Sequence, residues 1–154
     1  MDQYRWLSNF WEVEIEYEGI KYPTVEHYYV ALKINEPQTF KVSDNHEKFK
    51  YFNLQEAREF VSKLEKPGMA KKLGGEEINV RKDWNDVKIS IMEYGLKQKY
   101  SQEPFRTKLI ETGEEYIQEG NVWDDVFWGV DVDTGKGKNV LGKMIMKIRK
   151  DIQK

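Results

Sequence analysis

The sequence predicts a mostly helical α+β domain that begins with a small N-terminal β-hairpin. One short run alternates apolar and acidic residues, while later segments space their apolar residues three and four positions apart. Several of these segments also begin at a helix-capping residue or at a proline. The 154 residues, 39% of them hydrophobic, suffice for one sizeable core. Because no repeat or flexible linker interrupts the chain, we expect one domain over residues 1–154.

The hairpin is predicted from a period-two pattern near the N-terminus. Three apolar residues alternate with glutamates, as in a half-exposed strand. Glu18-Gly19 is a turn signal, and residues 20–22 can return as the partner strand. Pro23 is predicted to stop that strand, and Thr24 to cap a helix that runs to about residue 34. The alternating apolar residues are Val13, Ile15 and Tyr17.

Five further helices are predicted from the three-and-four spacing and from helix boundary signals. Asp83 is placed to cap the third of them and Asn139 the last. Residues 35–53 are polar with scattered aromatic side chains, so they are expected to be irregular, with room for one short helix. Residues 115–119 are expected to be extended. The five helices are predicted over residues 55–66, from Pro67 to just before Gly74-Gly75, over residues 84–100, from Pro104 to Thr112-Gly113, and after Asn139.

The charge balance argues against a protein that relies on bulk electrostatic attraction. The formal net charge is −2, which gives no strong overall pull on nucleic acid or anionic lipid. The absence of cysteine excludes disulfides and thiol nucleophiles and fits a cytoplasmic protein. No signal-peptide pattern or long apolar run occurs, so no membrane association is expected. A local basic patch stays open, with candidates Lys97, Lys99, Arg106 and Lys108.

Most tryptophans stand beside acids, amides or histidine in short polar runs, which suits a pocket for a flat polar ligand. Glu26 lies in the first turn of a predicted helix, where its carboxylate can bind a ligand or steady a positive charge. The alternative is a capping box with Thr24. Trp84 is either a stacking platform for a base or a packing anchor. The runs are residues 6–11, 23–29, 83–86, 119–129 and 137–142.

Two runs in the C-terminal part of the chain each allow two interpretations. Asp124 and Asp125 lie between two tryptophans and supply either one interior carboxylate or a solvated turn. Residues 135–139 combine Gly and Lys before a helix, which suits phosphate, although a flexible loop with a capping Asn explains the same pattern. No metal is expected, because His27 and His46 are the only histidines and no calcium-loop pattern occurs.

In this order, the runs resemble the NADAR family, also called YbiA-like. The resemblance covers nearly the whole chain. It departs from the family pattern at Trp6, where phenylalanine is usual, and in a longer stretch between Lys33 and Gln55. The matching pieces are residues 6–10, Pro23 to His27 with Lys33, Trp84, Thr112-Gly113, residues 119–129, residues 137–142, and Met146 with Arg149.

The resemblance implies an N-glycosidase, a hydrolase that cleaves a ribose C1′–N bond. Some members are similar to enzymes that act on ribosylamino-pyrimidine intermediates of riboflavin biosynthesis. Others resemble hydrolases that remove ADP-ribose from guanine in nucleic acid, and we expect this substrate first because residues 135–139 can meet a diphosphate. The resemblance implies catalytic roles for Glu26, Asp125 and Trp84. It implies substrate binding by Asn9, His27, Lys33, Trp128, Gly137 and Asn139.

The chemistry needs no cofactor, since two carboxylates suffice in principle to cleave a glycosidic bond. Two readings of a different class stay open. One is a module that binds ADP-ribose or a nucleotide without turning it over. The other is an interaction domain that keeps the fold only for its shape.

Overall fold

The structure of the protein is a computed structural model that describes residues 3–43 and 48–154. Over those residues it contains six α-helices and three two-stranded sheets, which confirms the predicted α+β class. The chain forms two compact units, residues 1–99 and residues 100–154; the single domain expected from the sequence stays a prediction. Within the described ranges, none of the helices has the length and apolar character needed to cross a membrane.

The first hairpin lies where the sequence predicts it. Strand β1 (Glu12–Tyr17) pairs antiparallel with strand β2 (Ile20–Thr24). Glu18 and Gly19 both have positive φ, at 47° and 84°, as a type I′ turn requires. The prediction that Pro23 stops β2 is wrong, because the strand continues to Thr24. The pairing shifts register opposite Pro23, and such an irregularity accommodates a residue without an N–H donor.

Helix α1 (Val25–Leu32) is the centre of the first unit, with seven of its eight residues buried. It packs against β1, β2, α2 (Leu54–Ser62) and α3 (Pro67–Glu76). The prediction that α3 ends before Gly74 is wrong, because the helix runs through that residue. A Cβ atom at Gly74 would lie 3.0 Å from both methyl groups of Val30, so glycine there allows α3 to pack closely on α1.

A second hairpin occupies the stretch that was expected to be irregular. Strand β3 (Gln38–Ser43) pairs antiparallel with strand β4 (Lys48–Phe52), and positions 44–47, including His46, lie outside the described residues. The inner face of the hairpin packs through aromatic side chains. Buried Phe40 packs against Phe52 and against Phe60 of α2, with ring centroids 5.3 and 4.9 Å apart. The strands are therefore stabilised by packing against helix α2, through Phe60.

Helix α4 (Trp84–Tyr100) has the predicted bounds and carries Trp84 at its first residue. It is tied to β1 by Gln98, whose side chain exchanges two hydrogen bonds with the backbone of Glu16 at 2.9 and 2.6 Å. It is also tied to α1, because the Tyr28 hydroxyl donates to the Ile91 carbonyl at 2.8 Å. These contacts fix the position of α4 within the first unit.

The second unit is built on helices α5 (Phe105–Glu111) and α6 (Val140–Ile152). Between them, β5 (Gly120–Asn121) and β6 (Val130–Asp131) form a short parallel pair. Strand β5 begins just after residues 115–119, the segment that was predicted to be extended. The Arg149 guanidinium donates to the Thr112 hydroxyl at 2.8 Å. The buried core of this unit includes Phe105, Leu109, Ile117, Leu141, Ile145 and Ile148.

Candidate active site

The loop that carries Asn9 is anchored beside the start of α1. The backbone amide of Glu26 donates to the Asn9 carbonyl at 3.1 Å. The Lys99 ammonium donates to the Ser8 carbonyl at 3.0 Å. Lys99 was a candidate for a surface basic patch, but it is completely buried, and this burial lowers its pKa to about 7. The Asn9 loop is thus held both from α1 and from α4.

The side chain of Asn9 holds a polar atom that the protein does not satisfy. Its Nδ2 atom lies 3.6 Å from the Met92 sulfur, which is a weak acceptor. Its Oδ1 atom is buried and has no hydrogen-bond partner within the described residues. Because a buried acceptor without a donor is costly, this atom is suited to accept a hydrogen bond from a ligand.

The capping interaction at the start of α1 involves His27 and not Glu26. The Thr24 hydroxyl accepts the His27 amide at 3.0 Å, which makes His27 the third helical residue and Glu26 the second. A capping box requires its acid at the third position, as Glu56 shows in α2. The position of Glu26 therefore does not correspond to the capping-box alternative, and its half-buried carboxylate lies in the first turn of α1.

His27 is placed inside the first unit, where the protein occupies both of its ring nitrogens. Nδ1 lies 2.7 Å from the Thr24 hydroxyl, and Nε2 lies 2.9 Å from the Leu64 carbonyl. A carbonyl can only accept, so Nε2 carries the proton and donates, while Nδ1 accepts from Thr24. The side chain is 1% exposed. His27, which was predicted to bind substrate, is thus positioned to join α1 to Leu64, two residues after the end of α2.

We expect the thermal stability of the protein to decrease as the pH falls below the ordinary histidine pKa of about 6.5. Burial lowers the pKa of His27 in the folded protein, so in this window the unfolded chain binds a proton that the folded chain does not. The stability that neutral His27 contributes is complete above the unfolded-state pKa and is lost as the pH falls through the folded-state pKa. Unfolding midpoints between about pH 5 and 8 measure this slope. An equal slope in His27→Gln would contradict the assignment.

Lys33, Tyr29 and Trp84 form a cluster on the face of α1 that also carries Glu26. Tyr29 and Trp84 meet edge to face, with ring centroids 5.0 Å apart. The Lys33 ammonium lies 5.7 Å from the Tyr29 centroid and 5.8 Å from the Trp84 centroid, within cation–π range. Residues 26, 29 and 33 share one helix face by their spacing. Two of the predicted site residues from α1 and one from α4 are thereby brought together.

The cluster lies in the field of several charges. Burial lowers the pKa of Lys33, and the positive charges of Lys71 and Lys88 lower it further. The negative charge of Glu26 opposes this shift. Lys71 also lies over the ring of Phe10 at 5.9 Å, next to Asn9. One carboxylate and three ammonium groups therefore influence the same region. Sequence analysis missed Lys71 and Lys88 because they come from two helices that only the fold brings near Lys33.

In the second unit, the Asp125 carboxylate organises a tight loop. Its Oδ1 atom accepts the backbone amides of Phe127 and Trp128 at 3.2 and 3.0 Å. The loop is closed by Asn121, whose side chain accepts from the Asp125 amide at 3.1 Å and donates to its carbonyl at 2.9 Å. No hydrogen bond from the described residues reaches Oδ2. Half-buried Asp125 is thus held rigidly, with one oxygen left for other chemistry.

Four of the five backbone amides in the predicted phosphate loop, residues 135–139, donate hydrogen bonds within the second unit. The amides of Lys138 and Asn139 donate to the carbonyls of Val126 and Gly129 at 2.7 and 3.2 Å. The next two amides, at the start of α6, donate to residues 127 and 128. Because these donors are used inside the second unit, they are not available to a diphosphate, and phosphate binding by residues 135–139 stays a prediction.

Gly137 and Asn139 were both predicted to bind substrate. In the structure both contact neighbouring segments of the second unit. A Cβ atom at Gly137 would clash with the Gly129 carbonyl oxygen, so only glycine fits there. The Asn139 side chain is 2% exposed; it accepts the Glu119 amide at 3.0 Å and donates to the Ile117 carbonyl at 2.9 Å. Its side chain does not cap α6. Trp128 is also largely buried, with its ring edge to face against Phe127.

The described residues form no group of three or more acidic, histidine or cysteine side chains that could hold a metal ion. An open hollow of about 540 Å³ lies on the β1–β2 hairpin beside Ser62. None of the predicted site residues lines this hollow. The candidate chemistry therefore lies with the carboxylates: the first unit holds Glu26 with Asn9, Lys33 and Trp84, and the second holds Asp125 with Trp128.

The family model of the NADAR domain matches residues 1–153, and the chain belongs to the NADAR family. It is 31% identical to the N-glycosidase YbiA of Escherichia coli (strain K12) over 153 residues, which cover 98% of this chain and 83% of that protein. The NMR structure of E. coli YbiA has the same fold, with a TM-score of 0.73 at 28% identity, over 99% of this chain and 80% of that one.

A second relative is the riboflavin biosynthesis protein VVA0006 of Vibrio vulnificus (strain YJ016). The two sequences are 30% identical over 154 residues. The match covers 99% of this chain but only 36% of the Vibrio protein, so the chain spans about a third of that relative's length.

Proposed function

We propose that the protein is an N-glycosidase that hydrolyses a ribose C1′–N bond, and that it removes ADP-ribose from guanine in nucleic acid. The observation that carries the proposal is the half-buried carboxylate of Glu26, in the first turn of α1 and on the helix face of Tyr29 and Lys33. Trp84 packs against Tyr29 beside it. The relative named N-glycosidase YbiA supports the same class of reaction.

Cleaving the C1′–N bond builds positive charge on the ribose, and an ionised carboxylate stabilises that charge. The oxygen of water bonds to C1′, and the departing nitrogen keeps the electron pair and takes up a proton. We assign Glu26 and Asp125 as the two acids. One stabilises the cation or activates water, and the other, or a donor nearby, neutralises the departing nitrogen. Positioned acid–base groups contribute about 10²–10⁴-fold to such reactions.

The surroundings of Glu26 suit a substrate that carries phosphate and a flat base. Lys33, Lys71 and Lys88 supply positive charge for phosphate oxygens. The Asn9 Oδ1 atom needs a donor, and the N–H groups on the edge of a base supply one. Trp84 is assigned to stack on the substrate. These features apply to ADP-ribosyl-guanine and to a phosphorylated ribosylamino-pyrimidine.

Different observations favour each of the two substrates. Four of the five backbone amides of residues 135–139 donate within the protein, so this loop gives ADP-ribose little support. A nucleic-acid substrate is supported by the exposed rings of Phe49 and Tyr51, which lie with Lys41 on the outer face of the β3–β4 hairpin. The similarity to a riboflavin biosynthesis protein of Vibrio vulnificus favours the ribosylamino-pyrimidine, which is the second candidate.

The two substrates are best compared side by side. One is an oligonucleotide with an ADP-ribosylated guanine, and the other is a ribosylamino-pyrimidine phosphate. Release of ADP-ribose from the first by the wild-type protein supports the proposal. If the base is released only from the second substrate, the protein acts on pyrimidine intermediates instead. Tight binding of ADP-ribose with turnover of neither substrate would leave a binding module and overturn the enzymatic proposal.

We expect Trp84→Ala to raise KM about 5- to 150-fold, because stacking of one base on one ring is worth about 1–3 kcal/mol. Trp84→Phe keeps an aromatic face and is expected to recover much of the lost affinity. Steady-state kinetics of ADP-ribose release measures both variants. If Trp84→Ala keeps the wild-type KM in folded protein, the ring is a packing anchor for Tyr29 and not a stacking platform.

A further inference from the structure

The β3–β4 hairpin has an outer face with two large exposed aromatic rings. Phe49 and Tyr51 are 63% and 64% exposed. Their cross-strand partners are Lys41 and Thr39, which are also exposed. Directly opposed residues of an antiparallel pair lie on the same side of the sheet, so these four side chains share one face. The buried packing of the hairpin is on the other side, through Phe40.

The two rings are spaced regularly along β4. Two residues on one strand lie about 6.8 Å apart and point to the same side. The rings therefore do not pack against each other in one cavity, as a pair of core side chains does. They offer two separate flat surfaces, which is the arrangement that stacks successive bases of a nucleic-acid strand.

The charge of the hairpin matches the same ligand. The charged residues on the described parts of its two strands are all lysines, but Lys50 is paired with Phe40 and therefore lies on the other side of the hairpin. Lys41 is paired directly with Phe49 on the outer face. A phosphate backbone that follows bases stacked on the rings meets the Lys41 ammonium, whereas an apolar protein partner would leave this cation unmatched. A local positive charge of this kind acts despite the net charge of −2 of the whole chain.

The base of the hairpin is tied to the segment that leads into the Trp84 cluster. Gln38, the first residue of β3, exchanges two hydrogen bonds with the backbone of Asn79, at 2.9 and 3.2 Å. Two residues further on, the Arg81 amide donates to the Lys33 carbonyl at 2.8 Å. The hairpin is thus attached, within the first unit, close to the residues assigned to the substrate.

We propose that the outer face of β3–β4, formed by Thr39, Lys41, Phe49 and Tyr51, binds single-stranded nucleic acid. One base stacks on each ring, and Lys41 contacts the phosphates. A duplex hides the faces of its bases and offers nothing to the two rings. The inference goes beyond the proposed function, because the face binds an unmodified strand whether or not the bond is cleaved.

The test measures the affinity for a fluorescent single-stranded DNA of mixed sequence and about 15 nucleotides, which is long enough to span such a face. The ring variants are Phe49→Ala and Tyr51→Ala, made singly and together. The charge variant is Lys41→Glu, which leaves both rings in place. Tyr4→Ala is the matched control for the rings, because Tyr4 is also exposed, at 49%, and lies outside the hairpin. Lys21→Glu, at an exposed position of β2, is the control for charge.

We expect the wild-type protein to bind the single-stranded DNA, and we expect the loss of each ring to weaken binding about 5- to 150-fold. Lys41→Glu should weaken binding and flatten its salt dependence, while both controls bind like wild type. If the wild-type protein does not bind at low salt, or the ring variants bind equally well, the proposal is overturned. Preference for duplex of the same sequence would also overturn it.

The failure of this inference is distinguishable from the failure of the proposed function. The ring variants are expected to keep wild-type turnover of ADP-ribosylated guanosine, which has no flanking nucleotides for the face to bind, and to lose kcat/KM only on an oligonucleotide. Glu26→Gln is expected to do the reverse, binding the strand normally without releasing ADP-ribose. Ring variants that lose turnover of both substrates in equal measure would contradict a binding role for the face.

Discussion

Glu26→Gln is expected to lower kcat for release of ADP-ribose by about 10²–10⁴-fold while leaving the fold intact. Glutamine keeps the shape of the side chain and removes its negative charge. Positive charge then develops on the ribose without the carboxylate assigned to stabilise it. KM is not expected to rise, because the variant also removes a negative charge that acts on Lys33. Single-turnover and steady-state kinetics separate the two effects.

Glu56→Gln is the matched control for this variant. Glu56 is also a first-turn acid of a helix in the first unit, and its side chain accepts the Asn53 amide at 3.1 Å in a capping box. Glutamine can keep that bond, so we expect wild-type turnover. If Glu26→Gln keeps wild-type turnover as well, Glu26 has no part in the chemistry.

Asp125→Asn is expected to reduce turnover by a similar factor, about 10²–10⁴-fold, in a folded protein. The asparagine Oδ1 atom can still accept the amides of Phe127 and Trp128. The substitution therefore keeps the loop and replaces only the charged Oδ2 by an amide. Turnover is measured with the same substrate, and the midpoint of thermal unfolding shows that the loop is intact.

Two further variants separate charge from structure at this loop. Asp124→Asn makes the same change at an exposed neighbour with φ of 67°, a conformation that asparagine tolerates well, so activity should be retained. Asp125→Ala also removes the two amide hydrogen bonds, each worth about 0.5–1.5 kcal/mol, so it should lower stability as well as turnover. If Asp125→Asn is as active as Asp124→Asn, the carboxylate of Asp125 only organises the loop.

Local signals were sufficient to predict the parts of the fold that local interactions determine. The β1–β2 hairpin follows from alternation and from Glu18-Gly19, whose positive φ values are a property of the turn itself. Helix α4 has the predicted bounds. The β3–β4 hairpin was missed because its inner face is stabilised by Phe60, which lies in a different element. Gly74 likewise marks a close approach to Val30 and not a helix end.

The candidate site could be predicted only in part, for a related reason. A sequence motif gives the identity of a residue at each position but not the direction of its side chain. His27 and Asn139 stand at motif positions, yet hydrogen bonds inside the protein occupy their polar atoms. Conversely, the motifs did not indicate the positive charges of Lys71 and Lys88 near Lys33. The predicted face shared by Glu26 and Lys33 depends only on helical spacing, and the structure confirms the helix that carries it.

The measurement that tests the central claim most directly is product analysis by mass spectrometry. The wild-type protein is incubated with a single-stranded oligonucleotide that carries one ADP-ribosylated guanine, in parallel with Glu26→Gln. We expect the wild-type reaction to yield intact ADP-ribose and an oligonucleotide with unmodified guanine, and the Glu26→Gln reaction to leave the substrate unchanged over the same time. A modified oligonucleotide that stays unchanged with folded wild-type protein, or cleavage at the diphosphate in place of the C1′–N bond, would contradict this claim.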